Sequence, residues 1–176
     1  MDNKKDVIVQ AVVKQHASLA ALHKNSLNTI RIMTIILNDE VRVLSRIVRM
    51  GVNGNKVDNV SSGGLSCGMN SQGQLNEFAF YDNGIKASTH PQGAVFKECK
   101  IENIDKCEEL VKDLANRIIG FSKLVSWDMS ISESGEPILI EANLYVGGLD
   151  FHQMNNGPIF GDLTDDILKE VFFKKN

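Results

Sequence analysis

Two long β-branched runs stand back to back in the first third of the chain. They are Thr29–Leu37 (TIRIMTIIL) and Val41–Met50 (VRVLSRIVRM), parted only by Asn38-Asp39. β-Branched side chains favour extended backbone, and Asn-Asp tolerates the tight turn between them. The pair therefore predicts a β-hairpin with mostly buried faces. That hairpin commits the chain to an antiparallel sheet.

The remaining pattern adds to the sheet. Val7–Val13 (VIVQAVV) predicts a strand, and His16–His23 a short helix. Residues 51–64 (GVNGNKVDNVSSGG) hold four glycines and three asparagines and form a loop by composition. Short strands are expected at Leu65–Asn70, Leu75–Tyr81 and Ile85–Thr89, with irregular chain from His90 to Asn103. A helix starts at Asp105, where Asp105 and Glu108 have capping-box spacing. It presents Cys107, Leu110, Val111, Leu114 and Ile118 on one face, and Gly120 offers a left-handed stop. Lys123–Ser132 and Pro137–Leu144 predict two strands around Glu133–Glu136, and Asp162–Lys174 an amphipathic helix. Strands dominate, with helices beside them, so the fold class is α+β: an antiparallel sheet with flanking helices. No repeat or linker interrupts the 176 residues, which read as a single domain, 1–176.

Charge and cysteine usage exclude some functions. The net charge is -3 with no basic block, so no nucleic-acid footprint is present. No run approaches the roughly 18 apolar residues of a membrane span. The start, MDNKKD, lacks the apolar core of a signal peptide. Cys67, Cys99 and Cys107 are odd in number and lack CxxC spacing, which fits a reducing cytoplasmic setting.

The chemistry concentrates in the hairpin Ser126–Ser132 and Pro137–Asn143. Side chains alternate along strands, so Ser126, Asp128 and Ser130 share one face and Trp127, Met129 and Ile131 the other. With Ser134-Gly135 as turn residues, Glu133 pairs with Glu136 and Asp128 falls opposite Glu141. Asn143 lies two residues on, on the same face. Directly opposed carboxylates share a proton, hold a cation, or face solvent. Two carboxylates with an amide oxygen suit Mg²⁺. On the residues alone, a metal site and a solvated acidic face are equally consistent. Arg31, within an Ile-rich strand, and Arg49, at the end of the next, are candidate anion contacts against the plainer readings of edge residue and surface cation. The histidines lack metal-ligand spacing, and His23 and His152 read as structural. Trp127, pointing away from Asp128, reads as core.

The block SWDMSISESGEPILIEANL resembles the closing motif of ATP-grasp enzymes. Gln15-His16, SLNTIR (26–31), Arg49-Met50-Gly51, Val57-Asp58-Asn59, Gly63-Gly64 and His90-Pro91 resemble, in order, the sugar-transfer-associated ATP-grasp family. The resemblance runs from about residue 7 to about residue 150. It implies the C-terminal half of an ATP-grasp fold, with the N-terminal subdomain and its nucleotide-binding lysines having no counterpart. It implies ATP and Mg²⁺ as cofactors, with the metal on Asp128, Glu141 and Asn143. The adenine edge would be read by backbone near Gln10, Ala11, Val12 and Val13, where Ala11 replaces an acid that many relatives carry. His16 would lie by the ribose and His90 by the substrate, with Asn59 among the nucleotide contacts. Arg31 would contact phosphate or a substrate carboxylate, and Arg49 would stabilise an acyl-phosphate. The implied activity is that of a carboxylate-amine ligase in polysaccharide or cell-surface sugar biosynthesis, on an unknown carboxylate or sugar-linked substrate. The rival expectations are a non-catalytic nucleotide-binding or scaffold module and a purely structural domain. The isolated half-clasp would be inactive, and its unpartnered side invites a homodimer.

Overall fold

The computed structural model describes residues 11–52, 63–145 and 147–173. Among these, seven strands form one antiparallel sheet: β1 (Thr29–Leu37), β2 (Glu40–Met50), β3 (Leu65–Met69), β4 (Leu75–Tyr81), β5 (Lys86–Ala87), β6 (Leu124–Ile131) and β7 (Pro137–Asn143). The spatial order is β5-β4-β3-β2-β1-β6-β7. This is the expected α+β architecture. The β1–β2 hairpin turns on Asn38 and Asp39, with φ of 51° and 62°. Two consecutive left-handed residues match the right-handed twist of the flanking strands.

One face of the sheet carries the main core. Ile30, Ile32, Val48, Met50, Cys67, Trp127, Met129 and Ile131 pack there with Phe96 and with helix α2 (Ile104–Arg117). Trp127 also donates its indole N–H to Thr34 Oγ1 at 2.8 Å. The helix buries Ile104, Cys107, Val111 and Ala115. The other face is covered in part by α3 (Leu149–Asn156), which the hydrophobic pattern did not announce.

Several boundaries move. Helix α2 starts at Ile104 behind a left-handed Asn103, with no side-chain cap bond. Glu108 is instead drawn to Arg46 of β2. The helix ends at Arg117, and Gly120 is not left-handed. The His16–His23 helix shrinks to α1 (Ala17–Ala20), capped by His16 Nδ1, which accepts the Ser18 N–H at 3.3 Å. The Ile85–Thr89 strand shortens to β5. Of the Val7–Val13 strand, residues 7–10 lie outside the described residues and Ala11–Val13 are not strand; pairing begins at the lone bridge Gln15↔Ser132. The expected Asp162–Lys174 helix splits into a 3₁₀ turn, the short α4 (Thr164–Leu168) and a π turn, Lys169–Phe173. Phe172 and Phe173 stay exposed there because no described element covers them. Among the described residues no helix is long and apolar enough to cross a membrane.

Candidate functional site

Strand register assembles the polar face of the sheet row by row. Arg31 of β1 pairs with Ile47 of β2 on one side and with Asp128 of β6 on the other; Asp128 pairs in turn with Glu141 of β7. One step along, Thr29 pairs with Arg49. One step the other way, Ser45, Met33, Ser126 and Asn143 form a row. Side chains of alternate residues share a face, so Thr29, Arg31, Arg49, Asp128, Glu141 and Asn143 converge.

The Asp128–Glu141 pairing arises by a different route from the simple count. The hairpin loop is one residue longer: Ser132 N–H donates to Glu136 O at 2.8 Å, and Ile131, not Ser132, pairs with Pro137. Gly135 closes that turn at φ 84°. A bulge between Asp128 and Met129 then takes in one extra residue of β7 and restores the register at Asp128.

The two carboxylates occupy different environments. Asp128 is 2% exposed. Its Oδ1 accepts from Arg31 Nε at 2.6 Å, and its Oδ2 from Arg31 Nη2 at 2.7 Å and from Arg49 Nη2 at 3.1 Å. Arg31 thus grips it with both prongs, the strongest geometry available to that pair. Arg49 also donates to Thr29 Oγ1 at 2.8 and 3.0 Å. Glu141 is exposed, and Asn143 is half-buried with its Nδ2 on Ser126 O at 3.4 Å. Two carboxylates and an amide oxygen are suitable donors for a hard divalent ion. The fit is uneven: Glu141 and the Asn143 amide oxygen are accessible, whereas Asp128 is already encircled by guanidinium groups.

The Gly147-Gly148 turn after β7 closes over this cluster. A Cβ on Gly147 would come within 2.6 Å of Ser126 Oγ, and one on Gly148 within 3.2 Å of Arg31 Nη1. Ser126 Oγ donates to Gly147 O at 2.8 Å. Gly148 is left-handed at φ 69° and leads into α3. That helix docks through polar groups. His152 Nδ1 meets Ser45 Oγ at 2.8 Å, Asn155 Nδ2 donates to Ser66 Oγ at 2.8 Å, and Asn156 Nδ2 donates to Ser45 Oγ at 2.8 Å.

His152 is fully buried, and no described group meets its Nε2. Burial and then the Arg31 guanidinium push its pKa down to about 3, with Arg49 adding to this and Asp128 opposing it. It is a neutral imidazole beside two arginines, buried and hydrogen-bonded as a structural histidine is. The helix that carries it has a polar spacing: His152, Asn155 and Asn156 recur at i, i+3 and i+4, the period of one helix face.

A groove of about 1350 Å³ opens at the hairpin end of β7, lined by Ala11–Gln15, Lys24–Leu27, Ser132–Ser134 and Ile138–Ile140. Ala11, Val12 and Val13 therefore line a cavity beside the residues that precede Glu141. His16 caps α1 and does not line it. His90 is buried elsewhere, its Nε2 on Gly51 O at 2.9 Å. Gln10, Asp58 and Asn59 lie outside the described residues. The three thiols are free, and burial pushes Cys67 and Cys107 up to about 12, so neither is a nucleophile near neutrality.

No curated protein matches the chain. The family model described as sugar-transfer associated ATP-grasp matches residues 1–167, nearly its whole length. The chain belongs to that family, and with it to the ATP-binding ATP-grasp domains.

Proposed function

We propose that this chain binds Mg-ATP along β7 and serves an ATP-dependent, ligase-type activation of a carboxylate in polysaccharide or cell-surface sugar synthesis, together with a second α+β half that completes the clasp. The supporting observation is adjacency along one strand: Ile138–Ile140 of β7 line the groove, and Glu141 and Asn143 follow them on the same strand, beside the arginine pair held on Asp128. An adenine ring suits the partly apolar groove, whose rim of backbone at Ala11–Val13 can read its polar edge. The phosphates then reach the guanidinium pair. A divalent ion held on the acidic face would neutralise phosphate charge and orient the chain of phosphates.

The residues themselves supply positioning and charge. Arg31 and Arg49 hold the anionic oxygens of the phosphoryl group and of the incoming carboxylate, and their placement in the folded state avoids reorganisation during reaction. The carboxylate oxygen takes the terminal phosphoryl group, ADP leaves, and an amine or other nucleophile then displaces phosphate from the acyl-phosphate.

The test is a melting scan with and without Mg-ATP. A ligand that binds only the native state at 100 times its Kd adds about 2.7 kcal/mol of stability. Arg49→Ala and Glu141→Gln should each shrink the shift. Absence of any shift with the unaltered protein refutes the reading. A shift without ADP release, in the presence of candidate carboxylates and the completing half, favours a non-catalytic nucleotide-binding module.

A further inference from the structure

The two acids that face each other across β6 and β7 have unlike partners. Asp128 spends three acceptor positions on two arginines, at 2.6, 2.7 and 3.1 Å, with its side chain 3% exposed. A carboxylate offers about four lone-pair sites, so almost nothing is left for a metal. A divalent ion bound there would also sit within hydrogen-bonding reach of two guanidinium charges. Glu141, directly opposite, is exposed and forms no ion pair with any described residue. Asn143 uses its Nδ2 on Ser126 O, which leaves its amide oxygen unused.

The partners of Asp128 are also placed to be held rather than free. Arg31 comes from β1 and Arg49 from β2, with side chains 13% and 15% exposed. Two like charges so close need a counter-ion to share one orientation. Thr29 Oγ1 fixes the Arg49 fork from one side, and the Gly148 turn limits Arg31 from the other.

We propose that Asp128 is a positioning residue that locks Arg31 and Arg49 into one preset cationic fork, and that metal coordination falls to Glu141 and Asn143 of the neighbouring strand. The inference rests on the nucleotide reading above and divides its labour. The row acts as two devices side by side: a fork for anionic oxygens, made by β1, β2 and β6, and a metal ledge on β7. Substrate oxygens bound by the fork and phosphate oxygens bridged to the ledge then meet at the Asp128–Glu141 step.

The test follows Mn²⁺, read as free ion by electron paramagnetic resonance, during titration with ADP and the unaltered chain, Glu141→Gln or Asp128→Asn. Glu141→Gln should weaken binding of the Mn²⁺–ADP complex by about tenfold or more, at least the cost of losing even an outer partner of a metal site. Asp128→Asn should weaken it less, and only through the nucleotide: the ratio of its affinities for Mn²⁺–ADP and metal-free ADP should stay that of the unaltered chain, whereas Glu141→Gln lowers that ratio. An equal fall of the ratio in both variants overturns the inference while leaving the nucleotide reading intact. No Mn²⁺–ADP binding by the unaltered chain overturns both. Should Asp128→Asn fail to fold, the unaltered protein decides by nuclear magnetic resonance. The Arg31 Nε–H signal, identified by its loss in Arg31→Lys, should stay protected from exchange when Mg²⁺ and ADP are added. Its release into fast exchange would show Asp128 leaving the fork for the metal and would overturn the inference.

Discussion

Acid should loosen this fold through His152, and the size of the effect follows from the geometry. The imidazole is fully buried, and burial together with Arg31 and Arg49 holds its pKa at about 3 against an ordinary 6.5. The folded protein therefore refuses a proton that the unfolded chain accepts. Stability from this group is present above the unfolded pKa and is lost as pH falls toward the folded one. Between pH 7 and pH 5 the linkage relation gives a loss of about 2 kcal/mol from this residue alone. Ordinary carboxylates barely titrate in that window. Urea unfolding of the unaltered protein and of His152→Gln at several pH values from 7 to 5 isolates the contribution. His23, which burial and its neighbour His90 also push down, acts in the same direction but is present in both proteins and cancels. The unaltered protein should lose about 2 kcal/mol more than the variant across the window. Parallel pH profiles would refute the placement of a neutral imidazole beside the arginine pair.

Three further outcomes follow from single contacts. Asp128→Ala leaves two largely buried arginines without their shared counter-ion and should cost about 3–5 kcal/mol in chemical denaturation. Gly68→Ala drives a methyl group into Asn156 Oδ1, Asn76 Nδ2 and the Asn155 carbonyl; it should cost about 1–3 kcal/mol and raise hydrogen exchange in α3 more than in α2. Asn28→Ala removes a buried hub that donates to Leu19 O and His23 O and accepts from Ser26 Oγ; a loss of about 2–4 kcal/mol, read as a lower thermal midpoint, is expected.

The sheet was legible in the sequence because its signals are local. The β-branched runs of β1 and β2 and the Asn38-Asp39 turn specify each other within a few residues, and β6 alternates polar and apolar side chains along its length. The Asp128–Glu141 opposition was also legible, although the longer turn and the bulge cancel each other in reaching it. What could not be read was the ownership of charge. Arg31 and Arg49 lie 97 and 79 residues from Asp128, and their convergence depends on strand order. Helix α3 escaped for a different reason. Its buried positions include His152 and Asn155, because the surface it docks on displays Ser45 and Ser66. A search for apolar periodicity passes over a helix whose partner is polar.

The burial of β6 rules out a merely solvated sheet face. Trp127, Met129 and Ile131 fill the core on one side, as any half-buried strand would. A face turned to water would leave the alternate residues exposed, yet Ser126, Asp128 and Ser130 are 0%, 2% and 0% exposed. Burying polar groups is unfavourable unless each finds a partner. Ser126 finds Gly147, Asp128 finds two arginines, and Ser130 Oγ has none among the described groups. The partners come from β1, β2 and the turn after β7, so they assemble only when four strands are in register. A one-residue slip of any of them turns its side chains to the other face and removes a charge from the cluster. Fold specificity and the Arg31–Asp128–Arg49 cluster are thus one set of contacts, and a variant that weakens the cluster should be detectable first as a weaker sheet.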